Sequence, residues 1–211
     1  MKLVSINRAQ KQQIEFDGKL VETGIFKEPV ASSVYVSSAG IESDNIVDLS
    51  VHGGADQAVY LYSQEDYQWW AGFLGRELEP GLFGENLTTQ GFDLRELVIG
   101  DRLMIGNTIL EISAPRTPCF KLAVRMGDSK FAKQFVFAGR PGAYARVLRD
   151  GNISAGDPII LVKTDQAYAG VLEVFELWHA RQRCPQLIRK ALASPISNYH
   201  RSVIHDWPLT E

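Results

Sequence analysis

The chain has 211 residues, 45% of them apolar and 22% charged, with a net charge of −3. A chain of this length buries roughly 70% of its unfolded surface, enough for a core that needs neither disulfides nor structural metal. The composition excludes disordered, collagen-like and coiled-coil classes, and the charge argues against general affinity for a nucleic-acid backbone.

The two cysteines, Cys119 and Cys184, sit in unrelated contexts and make no CxxC pair. They read as reduced thiols of a cytosol. Met1 to Arg8 carries no apolar run of signal-peptide length, and no apolar run approaches the roughly 18 residues of a membrane span. The expectation is a cytoplasmic protein without a membrane segment.

Short strands separated by turn signals fill residues 1–162. Leu3–Ile6 comes first. Ile14–Phe16 and Lys19–Val21 flank Asp17-Gly18, a pair that tolerates the positive φ of a tight hairpin. Val34–Val36 and Ala58–Tyr62 follow, rich in β-branched and aromatic residues. A helix is predicted from Gln64 to about Gly75, capped by Ser63, with Glu65 and Asp66 at the positive end of its dipole. Strands return at Arg102–Ile105 and Thr108–Ile112, a helix at Ser129–Ala138, and strands at Ala143–Leu148 and Pro158–Val162. Two Gly-Asp turns, at Gly100-Asp101 and Gly156-Asp157, each feed an apolar strand. Many short strands with glycine turns favour a closed or nearly closed β-barrel.

The pattern changes near Lys163. Residues 163–211 read as a second domain of three helices: one with the apolar face Val171, Val174, Phe175 and Trp178, one opened by Cys184-Pro185, and one capped by Ser197. This tail carries six basic and five acidic residues, weak support for DNA binding against a packing or oligomerisation role.

Four segments carry chemistry. In Ala114-Pro115-Arg116-Thr117-Pro118-Cys119-Phe120-Lys121 two prolines stiffen a loop that ends in a thiol. The neighbouring Arg116 and Lys121 favour its thiolate, a soft metal ligand or nucleophile; a small buried hydrophobe is the bland alternative. In His52-Gly53-Gly54-Ala55-Asp56 the glycines let backbone amides approach an anion, with hydrogen bonds added by His52 and Asp56; a structural turn with a capped histidine is the equal alternative. In Phe83-Gly84-Glu85-Asn86-Leu87 two polar residues sit between apolar ones and need partners, a ligand or the backbone. In Gly142-Ala143-Tyr144-Ala145-Arg146 the strand period puts Tyr144 and Arg146 on one face, with an arginine fork suited to phosphate or to a surface ion pair.

In this order, the segments resemble the MOSC-domain family (the C-terminal domain of molybdenum-cofactor sulfurases), in its YiiM-like bacterial branch, whose three-helix extension the tail also resembles. The resemblance implies a mainly β fold with helices, a Greek-key β-barrel followed by a small helical domain. It implies binding of the molybdenum cofactor, with Cys119 supplying a sulfur ligand to the metal. Thr117 falls where such enzymes place a small hydroxyl residue, and Asn86 where they place a polar cofactor contact. Their nearby arginine aligns with Gly84 here, leaving Arg116 and Arg146 as alternative phosphate contacts. Gly53, Gly54, Asp56, Glu85 and Tyr144 complete the expected cofactor-binding set.

The function so implied is reduction of N-hydroxylated compounds, such as hydroxylaminopurines and amidoximes, to amines, a detoxification. His52 is the first candidate for proton donor by its ordinary pKa, ahead of Glu85 and Asp56. With no flavin, haem or iron–sulfur signature, electrons must come from a separate donor protein, and the tail is its candidate docking site or a homodimer interface. Two other readings stand beside this one: sulfur transfer through a Cys119 persulfide, and a non-catalytic cofactor-binding module.

Overall fold

The computed structural model describes residues 1–45, 47 and 54–208. In chain order its strands and helices are β1 (Lys2–Arg8), β2 (Gln12–Phe16), β3 (Lys19–Thr23), β4 (Glu28–Pro29), β5 (Val34–Ser37), β6 (Gly40–Ile41), β7 (Val59–Ser63), α1 (Gln64–Leu74), β8 (Leu87–Gln90), β9 (Arg102–Ile105), β10 (Thr108–Pro115), α2 (Phe120–Met126), α3 (Phe131–Ala138), β11 (Ala143–Arg149), β12 (Gly151–Ile153), β13 (Ile159–Val162), α4 (Val171–His179), α5 (Pro185–Ala193) and α6 (Asn198–His205). A 3-10 turn, Ala55–Gln57, precedes β7.

Local chemistry explains most of these elements. Asp17 and Gly18 take φ of 51° and 71° between β2 and β3, as a tight hairpin demands. The Ser63 side chain accepts from the Asp66 N–H at the start of α1. In the two Gly-Asp turns the aspartate carboxylates accept from the Val98 and Ser154 N–H groups. Sequence reasoning missed β8, whose Leu-Thr-Thr-Gln is too polar to signal a strand, and α2, a seven-residue helix begun straight after Pro118 and closed by Gly127 in the left-handed conformation.

Eight strands form one sheet in the order β13-β9-β10-β11-β7-β8-β1-β4, antiparallel except for β7 with β8. The sheet curls until its ends meet. Lys2 bridges Pro158, and backbone bonds join Leu3 to Asp157 and Gly156. Among the described residues this contact is an isolated bridge and not a ladder, so the barrel is nearly closed and not fully. The reason lies in β1, which is paired along one edge with β8 while β4 takes Asn7 and Arg8, leaving only its first residues to reach β13.

One apolar cluster fills the sheet and runs on into the tail: Leu103, Leu110 and Ile112 share it with Val171, Val174, Ile188, Ala191 and Ile204. A second, aromatic cluster packs Tyr62, Tyr67, Trp70, Phe83, Phe131, Phe135 and Phe175 between β7 and helices α1, α3 and α4. The Trp70 indole donates to the Tyr62 hydroxyl at 2.7 Å, which donates to the Arg140 carbonyl at 3.1 Å. No helix of the described residues is long and apolar enough to cross a membrane.

Gly142 lies just before β11 at φ 64°, and a Cβ there would stand 2.4 Å from the Leu61 carbonyl oxygen. Gly142→Ala is expected to cost about 3 kcal/mol, through left-handed strain added to a clash with backbone that cannot retreat. Urea unfolding reads the loss. A midpoint within error of the wild type would contradict this packing.

Candidate functional site

A cleft of about 590 Å³, open mouth included, lies where segments distant in sequence converge. One wall is the stretch from Thr23 to Lys27 between β3 and β4, with Asn45 and Val47 beside it. A further part of the lining is Arg116, Cys119 and Lys121 from the end of β10 into α2. Tyr60 of β7, Tyr144 of β11, Gly84, Asn86 and Gln57 complete the lining. The stiff Arg116–Pro118 segment carries Cys119 to the N-cap position of α2, so a half-buried thiol faces the cleft. Neither cysteine is in a disulfide.

Arg116 is 6% exposed. Its Nη1 donates to the Phe83 carbonyl, and the guanidinium stacks over the Tyr60 ring at 5.1 Å and the Phe135 ring at 5.8 Å. Burial opposes its charge, but the surrounding Tyr60, Tyr144 and Cys119 outweigh that and hold its pKa above the usual value. Among the described residues no carboxylate lies within ion-pair distance of it, so a planar cation is presented to whatever fills the cleft. Burial raises the pKa of the Tyr144 phenol against the pull of Arg116, which leaves a neutral hydroxyl at neutral pH. Burial likewise raises that of Tyr60, whose hydroxyl donates to the Pro141 carbonyl at 2.9 Å.

Lys27 was not legible as a site residue. It is almost fully buried and pairs with Asp44, whose carboxylate also accepts from the Asn86 amide at 2.8 Å and the Ala9 N–H at 2.8 Å. Burial pulls the Lys27 pKa below the ordinary value, with Asp44 opposing. Asn86 lines the cleft, yet its amide is spoken for: Oδ1 accepts from the Tyr60 N–H, and Nδ2 donates to Asp44 and, at 3.4 Å, to the Asn7 carbonyl.

The remaining expected residues lie elsewhere. Glu85 is not part of the lining, and its Oε1 accepts from the Tyr67 hydroxyl at 2.7 Å, the Gly81 N–H at 2.6 Å and Thr88 Oγ1 at 2.8 Å. Burial raises its pKa against those bonds. Arg146 and Asp56 form an ion pair at 2.9 Å, and Arg146 also binds Glu111 at 3.0 Å. Neither lines the cleft, so of the two phosphate candidates only Arg116 is at hand. Thr117 is half-buried between Arg116 and Cys119 but is not part of the lining. Gly54 starts the 3-10 turn at φ 78°. His52 and Gly53 lie outside the described residues. Gly84, where relatives are expected to carry an arginine, has no room for one: a Cβ would stand 2.8 Å from Ile25 Cγ1. Among the described residues no three His, Cys, Asp or Glu side chains cluster as a metal site.

Residues 48–160 match the family model of the MOSC domain. The chain belongs to the MOSC-domain family. It is 40% identical over 154 residues to the uncharacterized protein YflK of Bacillus subtilis, covering 73% of this chain and 70% of that one. It is 32% identical over 185 residues to a protein named reductase in Gibberella moniliformis, covering 86% of this chain but only 33% of that longer protein. The crystal structure of YiiM from Geobacillus stearothermophilus superposes with a TM-score of 0.80 at 27% identity, covering 97% of both chains. The MOSC match contains Gln57, Tyr60, Asn86, Arg116, Cys119 and Tyr144, whereas the wall from Thr23 to Asn45 precedes it.

Proposed function

We propose that the protein is a molybdenum-cofactor reductase of N-hydroxylated compounds, hydroxylaminopurines and amidoximes among them, with Cys119 as a sulfur ligand of the metal. The observation that carries the reading is one cleft holding a thiol, a buried guanidinium and two lysines. The donor set fits the cofactor: a thiolate suits a soft metal, and Arg116 and Lys121 suit a phosphate. The family membership and the relative named reductase support it from outside the structure.

When bound, the cofactor supplies two electrons to the N–OH group. Those electrons and two protons convert the hydroxylamine to the amine and water, the electrons originating in a separate donor protein. The chain's own task is to bind, orient and deliver protons. Lys27 Nζ and the neutral Tyr144 hydroxyl are donors in the cleft, and His52 keeps the proton-donor role expected from its chemistry. Arg116 stays charged and fixes an anionic group. In this reading residues 163–211 form a helical second domain, and the protein acts in the cytoplasm.

The test compares wild type with Cys119→Ser, both made in a host that synthesises the cofactor. Expected are near-stoichiometric molybdenum and pterin in the wild type. The variant is expected to lose metal, and activity toward 6-hydroxylaminopurine to fall more than about 100-fold, beyond the usual cost of a residue that only supports a ligand. A folded wild type with no metal or pterin would overturn the reading, and a persulfide on Cys119 would then favour sulfur transfer.

A further inference from the structure

Three carboxamides line the cleft, Asn45, Gln57 and Asn86, and of these only Gln57 carries a buried oxygen without a partner among the described residues. Asn45 Nδ2 donates to the Ala9 carbonyl at 3.1 Å. Every hydrogen of the Asn86 amide is committed within the protein. Gln57, 3% exposed, donates from Nε2 to Ser197 Oγ at 3.3 Å and faces His200 Nδ1 at 3.4 Å, but its buried Oε1 has no partner among the described residues. Buried acceptors are almost always satisfied, and leaving one open is costly. The charged groups that line the cleft, Lys27, Arg116 and Lys121, can only donate hydrogen bonds. A ligand that offers both acceptors and an N–H satisfies these cations and Gln57 Oε1 together.

We propose that Gln57 Oε1 receives an N–H of the bound molecule, and that helix α6 sets the orientation of the Gln57 amide for it, which makes the helical tail part of the site. The molecule's identity as a purine amine rests on the function proposed above.

The orientation follows from a chain of bonds. Ser197 Oγ accepts from Gln57 Nε2 at 3.3 Å and from the His200 backbone N–H at 3.3 Å, and shares a hydrogen bond with His200 Nδ1 at 2.8 Å, which ties the Gln57 amide nitrogen to the start of α6. Ser197 and His200 are both buried, and burial pushes the His200 pKa down to about 4, so the ring is neutral at neutral pH. The same helix holds the neighbouring turn. The Asn198 N–H donates to Asp56 Oδ2 at 3.0 Å, and the Ser197 N–H to the Ser113 carbonyl at 2.9 Å. Ser197 and Gln57 are 140 positions apart, so the tail reaches into a site built from the front of the chain. Gln57 is a specificity residue in this arrangement, and Ser197 and His200 are positioning residues.

The probes are adenine, which has an exocyclic N–H, and 6-dimethylaminopurine, which does not. Calorimetry on the full chain is expected to show adenine bound about tenfold more tightly, the worth of one hydrogen bond. Gln57→Leu should abolish the preference, with Gln57→Met as a second apolar replacement should leucine unfold the chain. Gln57→Glu, which keeps an acceptor, should retain it, and Ser197→Ala should weaken it. In cofactor-loaded enzyme Gln57→Leu should raise KM for 6-hydroxylaminopurine about tenfold at nearly unchanged kcat. No preference or no binding in the wild type, or a preference that survives Gln57→Leu, overturns the inference. A preference lost in Gln57→Leu of a protein that reduces no hydroxylamine removes the reductase and keeps the inference. Reduction by Gln57→Leu at unchanged KM does the opposite.

Discussion

Asp44→Ala is expected to destabilise the fold by about 4 kcal/mol. Asp44 and Lys27 are 1% and 7% exposed at their side chains, so each charge depends on the other for compensation. Removing the carboxylate strands a buried ammonium, and it also takes the acceptor from the Asn86 amide and the Ala9 N–H. The attraction itself is not the source of this cost, because forming the pair already required desolvating both charges. The double variant Lys27→Met with Asp44→Ala therefore recovers most of the loss, since no charge is then left buried. Urea midpoints of the two single variants and the double close the cycle. A single-variant loss below about 1 kcal/mol, or a double variant no better than Asp44→Ala, would show that Lys27 finds solvent or another partner.

Acidification is expected to remove a comparable amount through His200. Burial holds its folded pKa at about 4, against an ordinary value of 6.5. The neutral ring is the folded form, so the unfolded chain binds more protons between these values. The contribution is fully present above pH 6.5, declines as pH falls, and is gone once pH passes below about 4. The integrated loss is about 3 kcal/mol, approaching the slope of one proton per molecule inside the window. His200→Phe keeps an aromatic ring against Trp178, which lies 4.8 Å from the His200 ring, and removes the titration. The difference in unfolding free energy between wild type and this variant should shrink toward acid across that window. Parallel curves would mean that the folded protein protonates His200 as readily as the unfolded chain does.

The share of the site legible in the sequence follows from how each residue is held. Cys119 and Arg116 sit on a proline-stiffened stretch of four residues, so their common placement is nearly a covalent property of the chain. Tyr144 and Arg146 were expected to act together from the strand period. Register kinks where β10 meets β11, and Arg146 is drawn to Asp56 and Glu111 while Tyr144 goes to the cleft. Glu85 was read correctly as a polar group needing partners; that those partners are Tyr67, Gly81 and Thr88 depends on how α1 lies against β8.

The sequence by itself determined the elements governed by neighbours a few residues apart. The hairpin at Asp17-Gly18, the cap at Ser63, the two Gly-Asp turns, the proline-opened α5 and the Ser197 cap of α6 all follow from φ preferences and side-chain bonds spanning two to four positions. Only the tertiary structure decided which polar side chains are spent on the protein and which are left for a ligand. Asn86 and Gln57 are chemically alike, and nothing local distinguishes them. The difference arises because Asp44 lies beside one and helix α6 beside the other, across separations of 42 and 140 residues. Such pairings are set by the packing of the sheet against the tail, where burial makes every unsatisfied group costly, and that cost acts on contacts which exist only in the folded chain.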